Sequence, residues 1–260
     1  MKNNHIIWKD HKFNILTYTS TMCAWSFSIV AGKDNGGSCI FENGEICQAC
    51  YSKIGYYNMP STEKNQWYRF LWVKENIVGD FVGFVDRMIS TIRDNVDNGY
   101  FRIHDSGDFY HPDYIWAWYY ICKALPDIKF WAPTRVWQSK QINWIAPLRR
   151  LSLLPNVSVR PSALDFNELT TSYKFFGAPT AVVDALEASN ELGSLLCPKT
   201  KNHSSCETEG CRQCWSKEGS VAYLVHSYMG ENKIFKVSDK IETRRKEAAN
   251  KYVALTIGNK

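Results

Sequence analysis

The chain has no run of about 18 apolar residues, the length a helix needs to cross a bilayer, and its mean hydropathy is −0.34. No membrane span is expected. Its first segment, MKNNHIIWKDHKFNILTYTS, lacks a continuous apolar stretch followed by small residues, so no secretory leader is expected either. No block of about five like charges occurs. The nearest, Lys240 to Lys251, contains Arg244, Arg245 and Lys246 but is interrupted by Glu242 and Glu247, which predicts the solvated face of a C-terminal helix. The net charge of +5 permits nucleic-acid contact without demanding it. Low-complexity linkers are absent, so residues 1–260 read as a single α/β domain. Gly36-Gly37 has neither the spacing nor the lysine of a phosphate-binding loop, and there is no serine nucleophile elbow and no His-Glu-x-x-His helix.

What is present is apolar and aromatic. The composition is 45% hydrophobic and 14% aromatic over 260 residues, enough to bury a sizeable core. Short β-branched and aromatic runs alternate with helical periodicity. Strands are expected at Tyr100–His104, Ile128–Ala132, Val157–Arg160, Pro179–Val183 and Val221–Val225. The first three start about 28 residues apart, close to one strand–helix unit. Between them, Pro112 opens a helix on which Ile115, Trp118, Tyr119 and Cys122 share a face, and a second helix runs from Ile142 to Leu151. Upstream, Gln66 to Arg93 is amphipathic, with Gly79 suggesting two helices or one bent one. Such alternation predicts a parallel sheet covered by helices, either open or closed as a partial or complete (β/α) barrel.

Polar residues gather where these strands end. His104, Asp105, Ser106 and Asp108 follow the first, Thr134 and Arg135 the second, Arg160 and Ser162 the third. In parallel α/β architectures ligands bind at this carboxyl edge, because the loops converge there. Each residue alone is an ordinary turn former. Three successive strands ending this way predict a shared polar site.

The nine cysteines divide by position. Cys23, Cys39, Cys47 and Cys50 form one group, its last three spaced C-x7-C-x2-C, in a loop over about 23–50. Cys197, Cys206, Cys211 and Cys214 form another, spaced C-x8-C-x4-C-x2-C, over 197–214. Cys122, on an apolar helix face, reads as a core thiol. A C-x-x-C turn aims two thiolates at one ion or cluster. Neither group holds two such turns, so a zinc ribbon fits poorly, and a [4Fe-4S] cluster is expected in the first group. The second group is left open between a second cluster and zinc. Trp116, Trp131 and Trp137 suit base stacking less well than core packing.

Three cysteines near the N-terminus followed by strand–helix units resemble the radical S-adenosylmethionine enzymes. That resemblance implies a barrel whose first strand is Asn14–Tyr18, a cluster on Cys39, Cys47 and Cys50, and S-adenosylmethionine on the open iron. The chain departs from that superfamily in its cysteine spacing and in carrying Asp105-Ser106-Gly107-Asp108 where Gly-Gly-Glu is usual. Segments WSFSI (25–29), CQACY (47–51), FRIHDSGDFY (101–110), FWAPTR (130–135), VRPSAL (159–164) and CRQCW (211–215) are similar to a phage and prophage family known as gene product eighty-eight. This second resemblance implies an iron–sulfur-type protein of phage origin working in the host cytoplasm, and supplies no reaction. The expected function is therefore an iron–sulfur phage protein. The alternatives are a radical S-adenosylmethionine enzyme and a zinc-braced module binding nucleic acid or a host protein.

Overall fold

The computed structural model of the protein describes residues 4–170, 176–225 and 239–257. The chain opens with a hairpin, β1 (His5–Trp8) against β2 (His11–Asn14). Its turn residues Lys9 and Asp10 both have left-handed φ values, 46° and 62°, which match the twist of the flanking strands.

The main sheet has five strands in the order β3-β4-β5-β6-β7. Strand β3 (Thr17–Thr19) runs antiparallel to β4 (Ala24–Phe27). Strands β4, β5 (Tyr100–Ile103), β6 (Lys129–Thr134) and β7 (Val157–Pro161) are all parallel, with Trp25, Phe101, Phe130 and Val157 successive register partners. A parallel bridge from Ser162 to Thr180 leads into a second, three-stranded parallel sheet, ordered β8 (Thr180–Val183), β10 (Val221–Leu224), β9 (Leu195–Leu196). The architecture is mixed α/β.

The five strands expected from residue patterning are present, each within two residues of its expected bounds. The expected first strand, Asn14–Tyr18, is not one strand. Asn14 ends β2, and the Asn4 side chain accepts from Leu16 N at 2.7 Å while its amide donates to Leu16 O at 3.1 Å. That clamp spends the backbone of Leu16 and turns the chain into β3. The first parallel strand is instead β4, whose residues are all buried.

Helix α1 (Glu45–Gln48) lies in the first cysteine segment. Helices α2 (Pro60–Gly79) and α3 (Phe81–Asn95) are the two halves of the expected amphipathic stretch. The break is made by Asp80, which ends one helix and caps the next by accepting from Gly83 N at 3.0 Å. Helix α4 (Pro112–Ala124) connects β5 to β6, and α5 (Ile142–Leu153) connects β6 to β7. Short α6 (Leu186–Glu191) and α7 (Pro198–Asn202) belong to the second sheet, and α8 (Asp239–Ile257) packs on α2.

The core is aromatic. Phe101 packs on Trp118 and Phe130, with ring centroids 5.9 and 5.6 Å away, and Phe27 meets Trp118 edge-on at 5.8 Å. Trp67, Trp118 and Phe101 are wholly buried, as is Cys122, the expected core thiol. The expected solvated basic face of the last helix needs correction. Lys240, Lys246 and Lys251 are exposed, but Arg245 is fully buried and donates to Ala31 O at 2.7 Å, while Arg244 pairs with Glu63 at 3.1 Å.

Candidate ligand-binding site

A cavity of about 440 Å³ lies over the carboxyl ends of β5, β6 and β7. That is within the size range of small-molecule sites. The β5–α4 loop forms its floor with His104, Asp105, Ser106 and Asp108; β6 contributes Thr134 and is followed by Arg135, and Ser162 follows β7. One wall is the first cysteine segment with Cys39, Cys47 and Cys50, and the facing wall is the second, with Cys197, Cys206 and Cys214. The two cysteine groups thus meet at one cavity. Cys23, Cys211 and Arg160 are not among its lining residues.

The floor is held by close backbone approach. His104 adopts a left-handed φ of 64°, and its amide donates to Phe27 O at 3.0 Å. Gly107 has φ 88°, and a Cβ there would sit 2.6 Å from both the Ile29 side chain and Ser38 Oγ. Ser38 Oγ donates to Val30 O at 2.8 Å and accepts from Asp108 N at 3.1 Å, joining the segment after β4 to the loop. Asp105 Oδ1 accepts from Ser28, and its Oδ2 accepts from Tyr57 OH at 3.2 Å and Thr19 Oγ1 at 3.4 Å. Asp108 accepts from Thr134 Oγ1 and Phe109 N, both at 2.7 Å, and from Arg135 N at 2.8 Å. Burial outweighs those bonds and raises its carboxyl to about 6. His104 is pulled down to about 3 by burial and by Arg102, so the ring is neutral; its Nε2 meets Tyr114 OH at 2.9 Å.

Arg135 and Arg160 are structural cations. Arg135 donates to Asn43 O and, at 2.6 Å, to Ala163 O, fastening the first cysteine segment to the chain after β7. Arg160 is 0% exposed and serves only carbonyls. Its shortest bonds reach Gln213 O at 2.6 Å, Ser216 O at 2.8 Å, Gly219 O at 2.9 Å and Cys214 O at 3.0 Å. It is the clamp of the second cysteine segment rather than a ligand group. Trp215 adds a bond from Nε1 to Phe101 O at 2.9 Å.

Burial favours the neutral form in four of the cavity thiols, and three sulfurs are bonded locally. Burial, then the nearby Asp108 carboxylate, pushes Cys39 well above its ordinary range. Burial raises Cys47 to about 11 despite Arg135, Cys206 to about 11, and Cys214 to about 12. Cys23 Sγ contacts Ser20 O at 3.0 Å, Cys50 Sγ contacts Ser52 Oγ at 2.9 Å, and Cys214 Sγ contacts Tyr223 OH at 3.0 Å. Protonated thiols are poor nucleophiles.

The expectation of a cluster-binding function is overturned here. Among the described residues, no group of three or more His, Cys, Asp or Glu is arranged to hold a metal ion. The physical reason lies in the placement of the thiols: Cys47 sits on α1, Cys50 begins the next turn and Cys39 precedes both, and several sulfurs are committed to nearby oxygens rather than to a common centre. The radical-enzyme and zinc-braced alternatives rested on the same convergence and fall with it.

Sequence patterning overlooked Arg102, Tyr51, Tyr57 and Tyr223, all of which line the cavity. Arg102 was legible: in β5 it alternates with the core residues Phe101 and Ile103, which directs it to the opposite face. Tyr51 and Tyr57 come from the short turns after Cys50, which carry no periodic signal.

Comparison with known proteins gives a family model described as "Gene product 88", matching residues 3–217. Two curated relatives, both called "Gene 88 protein", come from Mycobacterium phages. The D29 protein is 29% identical over 44% of this chain and 48% of its own length, and the L5 protein is 53% identical over 14% and 15%. The chain therefore spans at most about half the length of these relatives. No solved structure matches. The resemblance to gene product eighty-eight is thereby supported, whereas that to radical S-adenosylmethionine enzymes is not.

Proposed function

Starting from a chain that belongs to the Gene product 88 family, we propose that it binds a small organic molecule in the cavity above the parallel sheet. The observation that carries this is a set of buried, unpartnered polar atoms on the residues that line it. His104 Nδ1, Ser106 Oγ and Trp131 Nε1 have no hydrogen-bond partner among the described residues. Buried polar groups are nearly always satisfied, so such a set around one cavity points to an absent partner. Six cysteines supply a soft wall, and the clamps of Arg135 and Arg160 keep both walls fixed. The parallel run from β4 to β7, continued through the Ser162–Thr180 bridge, supports a partial barrel as the frame. The proposed setting is the cytoplasm of the infected host. Phage-encoded relatives support it, and no described helix is long and apolar enough to cross a membrane.

The test is thermal unfolding of the whole chain with a panel of nucleosides, nucleoside monophosphates, amino acids, dicarboxylates and S-adenosylmethionine. A ligand at about a hundred times its Kd contributes about 2.7 kcal/mol. In a chain of this size that raises Tm by about 5–10 °C. At least one class is expected to do so, and Ser106→Val is expected to lose the response while keeping its own Tm. A panel without effect would overturn the proposal.

A further inference from the structure

Arg102 lines the cavity, and of its guanidinium nitrogens only Nε is spent on a carbonyl. Its Nε donates to His104 O at 3.0 Å, and its Nη2 donates to Tyr51 OH at 2.8 Å. Its Nη1 is directed at Met22 Sδ, 3.3 Å away. A thioether is a weak acceptor, a poor match for a charged donor. No carboxylate of the described residues forms an ion pair with Arg102. The nearby Asp105 is already occupied by Ser28, Thr19 and Tyr57. The guanidinium plane is held in place by Trp131, whose ring centroid lies 4.3 Å from Cζ. Beside it is the unpartnered indole Nε1 of the same Trp131, and Ser106 Oγ faces the same cavity. A held guanidinium with an unspent fork edge, sharing its cavity with neutral donors, is an arrangement that takes a carboxylate or phosphate.

We propose that Arg102, with Trp131 Nε1 and Ser106 Oγ, forms an anion subsite in the cavity, and that the bound molecule enters with a carboxylate or phosphate against it. This rests on the small-molecule site described above. It also gives Met22 a role: its thioether covers Nη1 without neutralising it, so the charge stays available.

The experiment measures saturable binding calorimetrically at constant ionic strength, with inorganic phosphate and succinate as anionic probes and adenosine and succinamide as neutral ones. The wild-type chain is expected to bind at least one anionic probe, phosphate marking a phosphoryl ligand and succinate a carboxylate one. Affinity should fall at least tenfold in Arg102→Gln. That substitution also removes the bonds to Tyr51 and His104, so a second pair guards against misfolding. Met22→Glu, which supplies an internal carboxylate to Nη1, is expected to abolish anion binding, while Met22→Gln retains it. Binding of neutral probes alone would overturn the anion subsite and leave the cavity proposal standing. No binding by any probe would overturn the subsite and, together with a flat thermal panel, the cavity proposal too. Equal anion affinity in Met22→Glu and wild type would also overturn the subsite.

Discussion

At the scale of single residues, the floor of the cavity holds two titrating groups whose effects on stability oppose one another. Asp108 has its carboxyl raised from 3.8 to about 6, chiefly by burial. A raised folded-state pKa contributes stability that is complete below the unfolded value and is lost as pH rises through the folded one. Its contribution therefore falls between pH 3.8 and about 6. His104 is depressed from 6.5 to about 3, by burial first and then by Arg102. Its contribution is complete above pH 6.5 and is lost as pH falls toward 3, so over the same window it rises. Each slope is at most about 1.4 kcal/mol per pH unit, and together they flatten the wild-type profile. Asp108→Asn removes the falling slope. Urea unfolding at intervals from pH 4 to 6 should show the variant gaining about 2–3 kcal/mol relative to wild type across that range. Parallel pH profiles in the two proteins would contradict the assignment.

At the scale of elements, the strands and helices were legible because their signals are local. The run Tyr100–Ile103 alternates, Pro112 opens α4, and Ile115, Trp118 and Cys122 repeat on one buried face. Asn14–Tyr18 misled because a side chain from outside the segment, Asn4, bends it, and no property of the five residues themselves records that clamp. The two cysteine segments were legible as loops but not as facing walls, since that depends on long-range bonds. Arg160 is the clearest case: at a strand end it reads as a ligand group, yet its shortest bonds go to carbonyls more than fifty residues onward, from Gln213 to Gly219. Replacing it by Met leaves those carbonyls without a donor. Arg160→Met should lose about 3–5 kcal/mol in urea unfolding. Alkylation of the buried Cys214 should accelerate more than that of Cys23, which the clamp does not touch. An unchanged midpoint with unchanged Cys214 reactivity would show that the second segment is held by other means.

At the scale of the whole molecule, a five-stranded sheet and a three-stranded one are joined by the Ser162–Thr180 bridge, and the cysteine segments close over the edge they share. The polar strand-end site was legible from the order of His104, Asp105, Ser106, Asp108, Thr134, Arg135 and Ser162, all of which face one cavity. The chemistry of the thiols was not, because spacing along the chain does not report whether sulfurs converge or are buried in the neutral form. The central claim is that this cavity holds a small organic molecule. It is tested most directly by native mass spectrometry of the whole chain incubated with the ligand panel, beside Ser106→Leu, whose larger side chain occupies the floor. A one-to-one adduct is expected on the wild-type chain and not on the variant. Adducts on neither protein, or equally on both, would contradict it.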